Sequence, residues 1–413
     1  MCSVSEPTPT PAEGPPPAGD SGLDADGAVT PLELFFDLVF VFAITQLTSV
    51  LATDPSPRGA LQVILLFGVL WWMYGGYAWL TNSVPPDRRS IRLLLLAGMA
   101  GFLLIAMAMP TAFDGGGVLL GLAYLFVVVL HAGVYTRSSH AASVTAILRV
   151  APFNVVSAVL LVAGALTGGR AQYAIWALAV ALQWTTPLFT PIRRFRIRSG
   201  YMIERYGLVL IIVLGESVVA IGVGASGLPL RPPLLGTAVL ALAVSALMWW
   251  LYFIGDDGRA ERALAAARES ERPALVLKAF FYAQIPMLLG VVVLAAGVKQ
   301  AIGHPTADVG GAAALCLAAG VALYLSGSAL FRLAVGGPWL RRSVGVPPAL
   351  LTAGLGLWFG ALAELAALLI VVLAVLVAEE GLDRHTRRGP DSSPAAAGPG
   401  TARPAGRQAP GPP

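Results

Sequence analysis

From position 32 onward the chain is a series of apolar runs, each closed by charged residues or by a Pro/Gly cluster. A helix needs about 20 predominantly apolar residues to cross the hydrocarbon core of a bilayer. Runs of that kind occupy 32–51, 59–80, 93–113, 118–135, 147–165, 173–189, 205–223, 234–254, 277–298 and 312–333. A final run, 346–378, is too long for one ordinary span and is interrupted around Gly360 and Glu364, so it is read as two short helices. The pattern predicts an all-α membrane protein of about twelve transmembrane helices.

The basic residues orient these helices. If the chain enters from the cytoplasm, 23 of its 27 Lys and Arg residues fall in loops or tails on that side, and only Arg58, Arg170, Arg231 and Lys299 fall outside. Retention of Lys and Arg on the cytoplasmic side then places both termini there, in a bacterial inner membrane. A cytoplasmic C-terminus requires an even number of spans, which agrees with splitting the last run. Residues 1–30 and 381–413 are rich in Pro, Gly and Ala and read as disordered cytoplasmic tails. The first of them lacks the basic start and apolar stretch of a cleavable signal peptide. Between the tails the expected organisation is a six-helix bundle over 31–190, a basic loop over 191–204 and a second bundle over 205–380. In the loop Arg193, Arg194, Arg196 and Arg198 alternate with apolar residues beside a membrane end, which suits anionic lipid headgroups as well as ordinary topological anchoring.

The halves echo one another. Trp71, Trp72 and Tyr74 in the second run match Trp249, Trp250 and Tyr252 in the eighth, Glu33 matches Glu204, and Tyr124–Leu125 matches Tyr324–Leu325. Six is even, so a duplication would give two parallel six-helix repeats. The competing explanation is that Trp and Tyr gather at membrane interfaces anyway.

Composition agrees with the pattern: 12% charged and 56% hydrophobic residues, with a mean hydropathy of +0.75. Cys2 and Cys316 are the two cysteines, too few for a disulfide framework. No cluster has metal-ligand spacing and no Gly-rich, Lys-containing phosphate loop occurs, so nothing points to a cofactor or to an ATPase.

Ionisable residues within the spans need a partner, a wet cavity or a task. Glu33 and Asp37 lie four apart on one helical face, continued by Ile44 and Thr48. Asp37 sits about 9 Å along the helix from its start, and two carboxylates on one stripe are suited to sharing a proton or attracting a cation. A structural pairing with loop arginines is the alternative. Glu216 follows Gly215 and is about 16 Å along the seventh span from Arg205, too far for direct neutralisation. Gly207, Gly215 and Gly222 are expected to let a neighbouring helix approach closely. His131 and Tyr135 form a relay or an interfacial anchor, and Asn154, Gln183 and Gln284 are candidate hydrogen-bond partners for the acids.

Two stretches, VTPLELFFDLVFVFAITQLT at 29–48 and IERYGLVLIIVLGESVVAIG at 203–222, resemble the signature segments of the bacterial low temperature requirement A family. WWLYF at 249–253 and the segment 281–290, with Ala283, Pro286 and Gly290, add to the likeness. It extends from Val29 to about Glu380. The resemblance implies an integral membrane protein with characteristic polar positions at Glu33, Asp37, Glu204, Arg205, Gly215, Glu216 and Ser217. Tyr201 and Gln284 stand where the family often has His, which weakens a His-based relay. The family brings no settled biochemical activity.

The first functional expectation is a secondary transporter or permease for a small solute or ion, with Glu33, Asp37, Thr48, Glu204, Arg205, Glu216 and Ser217 at a central site. A second is a scaffold or sensor linked to growth in the cold, its acids serving as helix glue. A lipid-acting membrane enzyme is the least favoured reading, for want of a nucleophile, metal or His constellation. Nucleic-acid binding is not expected.

Overall fold

The computed structural model describes residues 29–84, 86, 88–136, 141–190, 195 and 197–387. Both terminal tails, apart from their innermost residues, lie outside this set, as do Arg137, Arg193, Arg194 and Arg196. Every regular element among the described residues is helical. The first half comprises α1 (Pro31–Thr53), α2 (Pro57–Ser83), α3 (Arg89–Ala108), α4 (Gly117–Tyr135), α5 (Ala141–Thr167) and α6 (Gly169–Phe189). The second comprises α7 (Ser199–Ala225), α8 (Pro232–Phe253), α9 (Asp256–Ala266), α10 (Arg272–Val276), α11 (Gln284–Ala301), α12 (Gly311–Ala334), α13 (Leu340–Ser343), α14 (Val346–Leu351), α15 (Ala353–Phe359) and α16 (Ala361–Arg387). A π-helical stretch, Leu277–Tyr282, joins α10 to α11.

Ten helices among the described residues are long and apolar enough to cross a membrane. The sixth expected span is present as α6, of 21 residues, but Gln172, Gln183, Thr185 and Thr186 make it more polar. The eleventh is two short helices, α14 and α15, parted at Thr352, beside glycines at 354 and 356 that lower helix propensity; Pro347 sits in the first turn of α14, where it is tolerated. α7 begins at Ser199, within the segment expected to be a loop.

Gly360 separates α15 from α16 where the split was expected. Its φ of +88° and ψ of 179° belong to a region essentially restricted to glycine. Gly168, at φ +64° and ψ −178°, makes the same turn between α5 and α6.

The packing order follows the chain. α1 lies against α2 and α3, α2 against α4 and α6, α3 against α4, α4 against α5, and α5 against α6. In the second half α7 lies against α8 and α11, α8 against α12 and α16, α11 against α12, α12 against α14 and α15, and α15 against α16. The halves meet where α1 and α2 touch α7 and α11. The apolar stretch of α2 is 83% buried against 28% for that of α5, so α2 is central and α5 peripheral. Around Trp71, Tyr74 and Tyr77 of α2 gather the rings of Phe36, Phe40 and Phe102 from the first half and Tyr206 and Phe281 from the second.

The tightest helix contact is α11 on α12, and glycine makes it. A Cβ at Gly290 would stand 2.6 Å from the Gly320 carbonyl oxygen, one at Gly297 2.8 Å from Leu317 N, and one at Gly327 2.7 Å from Met287 N. Two of the three glycines expected to do this on α7 do not: a Cβ at Gly215 or Gly222 would meet nothing within 4 Å and one at Gly207 only the Phe253 ring at 3.4 Å, whereas the α7 glycine that meets a backbone is Gly224, whose Cβ would stand 2.8 Å from the Lys299 carbonyl oxygen. Small residues matter where two backbones touch. Gly290→Leu is therefore expected to force α11 from α12 and destabilise the protein by at least about 1–3 kcal/mol. Gly215→Ala should be near neutral, and thermal unfolding of the two purified variants in detergent compares them.

Candidate functional site

The start of α1 is fixed by its own sequence. Thr30 caps the helix and Glu33 closes a capping box, its Oε2 accepting from Thr30 N and Thr30 Oγ1, each at 2.7 Å. The Thr-Pro-Leu-Glu string at 30–33 is a legible capping signal, so part of the reason for this acid is local. Glu33 Oε1 accepts from the Tyr201 hydroxyl on α7, which lies 2.6 Å from Thr81 Oγ1 at the end of α2.

One turn deeper, Asp37 is fully buried between two donors. Its Oδ2 accepts from Arg205 Nη1 at 2.8 Å and its Oδ1 from the Tyr74 hydroxyl at 2.9 Å. Arg205 Nη1 also donates to the Glu33 carbonyl at 3.0 Å, and the guanidinium stands 5.6 Å from the centre of the Tyr74 ring. Glu33 and Asp37 thus share a face, as expected, but each has its own donors. Beside them, Glu33, Arg205, Tyr77 and Thr81 help line a cavity of about 10 Å³, room for one water.

Farther along the same two helices, the Thr45 hydroxyl donates to Glu216 Oε2 at 2.6 Å. Glu216 is buried, and Thr48 and Lys299 are close by. Lys299 Nζ lies 3.4 Å from Ser49 Oγ and donates to it. Ser49 also lines a polar cleft of about 340 Å³ with Asp54, Arg58, Gln62 and Asp114, at the face opposite to that where α1 begins. The α1 surface toward α7 and α11 therefore has two polar zones. They are about 12 Å apart, from Asp37 to Thr45 at 1.5 Å per residue. Between them lie buried Phe40 and Ile44 on α1 and Val209 and Val213 on α7.

The remaining expected residues stand apart from the acids. Glu204 is exposed and accepts from Val29 N at 3.3 Å. Ser217 is buried with no hydrogen-bond partner among the described residues. His131 Nε2 is 3.0 Å from the Gly76 carbonyl, Asn154 Oδ1 accepts from Trp72 Nε1 at 2.8 Å, and Gln183 Nε2 donates to the Tyr124 hydroxyl at 2.6 Å. Gln284 reaches Tyr206 O and Tyr252 Oη at 3.5 Å. None of these hydrogen bonds of His131, Asn154, Gln183 and Gln284 joins a carboxylate. Arg198, expected at lipid headgroups, is turned inward, donating to Asn82 O and Thr81 O and lying 4.5 Å from the centre of the Tyr201 ring.

A second charged cluster has no expectation behind it. Arg332 at the end of α12 donates to Asp256 at 2.8 Å and, with two nitrogens, to Glu379 on α16 at 2.8 and 2.9 Å. Arg342 donates to the same Glu379 at 2.6 Å and to Ser328 at 2.7 Å. Each residue lies at the end of an apolar run, and which ends converge is a property of the bundle that spacing does not encode. Glu364 is also buried, packed against Gly356, and neither of its oxygens has a partner among the described residues. No group of three or more metal-ligating side chains occurs among the described residues.

The model of a family described as bacterial low temperature requirement A protein (LtrA) matches residues 28–378. An uncharacterized protein, RA0937, of Rhizobium meliloti (strain 1021) is 29% identical over 292 residues, covering 66% of this chain and 69% of its own length. No solved structure matches.

Because Asp37 and Arg205 are buried together, removing one leaves the other charged and unsolvated. Arg205→Met should destabilise the protein by about 3–5 kcal/mol. Combining it with Asp37→Asn should restore much of that loss, since the double variant buries no lone charge. Thermal unfolding of the single and double variants checks this, and an equal or larger loss in the double variant would contradict it.

Proposed function

The chain belongs to the bacterial low temperature requirement A family and is a multi-pass membrane protein, and from that premise we propose that it is a secondary transporter or permease working at the seam between α1 and α7. Glu216 is the observation that carries the reading. It is a buried carboxylate in the middle of a membrane-spanning helix, held by a hydroxyl, whereas Asp37 is clamped by a guanidinium. Lys299 is close by but donates to Ser49, so Glu216 can exchange a proton or a small cation without breaking a direct ion pair. The polar cleft beside Ser49 offers an approach from one face, and Thr48 and Ser217 stand next to the acid. Toward the other face the seam is closed by Phe40 and Ile44 and latched by Asp37–Arg205 and Glu33–Tyr201. One open side and one latched side are what alternating access requires of a single conformation.

The fuller arrangement belongs to the same proposal: twelve membrane-level segments in an inner membrane, both termini cytoplasmic, and two parallel six-segment repeats. In its favour, the neighbour relations among α1–α6 recur among α7, α8, α11, α12, α14–α15 and α16. Gly168 and Gly360 share one unusual backbone conformation, and Gln172 and Glu364 each follow four residues later. Arg193, Arg194 and Arg196 are the residues proposed to meet anionic lipid, and the transported solute is a small molecule or ion.

A scaffold or cold sensor is the second reading. Its support is that Glu33, Asp37, Asp256 and Glu379 each meet fixed donors, and that the cleft at Ser49 stops short of Asp37. Proteoliposomes with an internal pH dye separate the two. The transporter reading expects the wild type to relax an imposed proton or sodium gradient faster than protein-free vesicles, and Glu216→Gln to bring the rate down to theirs. Wild-type vesicles no faster than empty ones would favour the scaffold.

A further inference from the structure

In the π-helical stretch Leu277–Tyr282 the ladder is wider than in an α-helix, a local irregularity that often marks functional sites. Here it ties the second half to the first. The Phe281 carbonyl accepts from Trp71 Nε1 at 3.1 Å, and the Tyr282 hydroxyl donates to Trp184 O at 2.6 Å. The Phe281 ring stands edge-on to Trp72 at 5.7 Å. It thereby walls a narrow cleft of about 80 Å³ shared with Trp72, Trp79, Tyr135, Asn154 and Phe195. The cleft touches the ends of α2, α4 and α6 and the starts of α5 and the α10–α11 segment, so it lies toward the face where α1 begins.

The lining is apolar except for a few groups, one of them an amide. Asn154 is 3% exposed; its oxygen accepts from Trp72, and its amide nitrogen carries two N–H donors. The chain around the mouth is basic. Arg149 lies between the lining residues Ile147 and Val150, and Lys278 follows the lining residue Leu277. Arg149 and Lys278 are exposed. The segments 147–154, 186–195 and 277–281 contain no acid. Arg149 precedes Asn154 by about 7 Å of helix, a spacing that suits a headgroup phosphate above an ester carbonyl.

We propose that this cleft binds one anionic phospholipid from the adjoining leaflet. One acyl chain lies in the aromatic-walled slot, its ester carbonyl accepts from Asn154, and its phosphate meets the basic rim. The slot is too narrow for a bulky solute, and the rim has the wrong sign for a cation. The site does not depend on transport, since a scaffold would bind the same lipid.

Native mass spectrometry of the full chain tests the site, after exchange into equal phosphatidylglycerol and phosphatidylcholine. The wild type should retain one phosphatidylglycerol in preference to phosphatidylcholine. Arg149→Gln with Lys278→Gln, both exposed and so compatible with folding, should weaken that preference by about fivefold per charge removed. Brominated phosphatidylglycerol should quench tryptophan fluorescence in the wild type and less in Val150→Phe, which fills the slot, with unchanged circular dichroism showing that this variant folds. Equal retention of the two lipids, equal quenching in Val150→Phe, or displacement of the phospholipid by oleate at equal concentration would overturn the proposal, the last by assigning the slot to a free fatty acid.

Discussion

Arg205 is 1% exposed, and that one guanidinium governs how the first and seventh helices meet. An unpaired charge at this depth would cost several kcal/mol, so the helices must place Asp37 within reach and keep it there. Tyr74 supplies the second donor and carries α2 into the same contact. The bond from Arg205 to the Glu33 carbonyl and the bond from Tyr201 to the Glu33 carboxylate then fix the register of α1 against α7. The Thr30 cap sets where α1 begins. With start and register both determined, Thr45 can fall only opposite Glu216. The polar seam is thus a consequence of one buried ion pair and the helical rise.

The buried acids form a graded series. Asp37, Asp256 and Glu379 face guanidinium groups, Glu33 faces hydroxyls and a backbone amide, Glu216 faces a hydroxyl, and Glu364 faces no donor among the described residues. Pairing with arginine rigidifies and resists exchange; pairing with a hydroxyl leaves the charge state open. The clamped acids lie near one face of the bundle, where Asp256, Arg332, Arg342 and Glu379 gather the ends of α8, α12 and α16. Glu216 and Glu364 lie beyond the apolar layer. The proposed division between a latched side and an exchanging side is therefore written in the kind of donor each acid meets, and the glycine seam of α11 and α12 gives both sides a rigid backing.

Much of this was legible from residue order. Runs of apolar residues located the helices, Gly360 marked the last break, and Asp37, Arg205 and Glu216 stood out because charge inside a span demands a reason. Partners were less legible, since pairing across helices depends on how the bundle is rotated. Spacing placed Ile44 and Thr48 on the stripe of Glu33 and Asp37, yet the residue that holds Glu216 is Thr45, turned toward α7 by helix packing. Gly215 and Gly222 of α7 looked like part of a packing seam and face away from their neighbours, while the glycines of α11 and α12, spaced by seven, make the tightest one. The Asp256–Arg332–Glu379–Arg342 cluster was hidden because its arginines had already been accounted for as topological charges and its acids stand at the ends of apolar runs rather than inside them. The capping box at Thr30 was readable and explains part of why Glu33 is there.

The measurement that bears most directly on the seam is an infrared titration of the carboxyl bands in lipid, comparing wild type with Glu216→Gln from about pH 5 to 9, the range over which a desolvated carboxyl exchanges its proton. If Glu216 is the coupling acid, a carboxyl band appears and fades within that range in the wild type and is missing from the variant, while the band structure attributable to Asp37 is common to both. If the two proteins give the same titration, Glu216 does not exchange a proton, and the account of the seam as a proton-coupled site is contradicted.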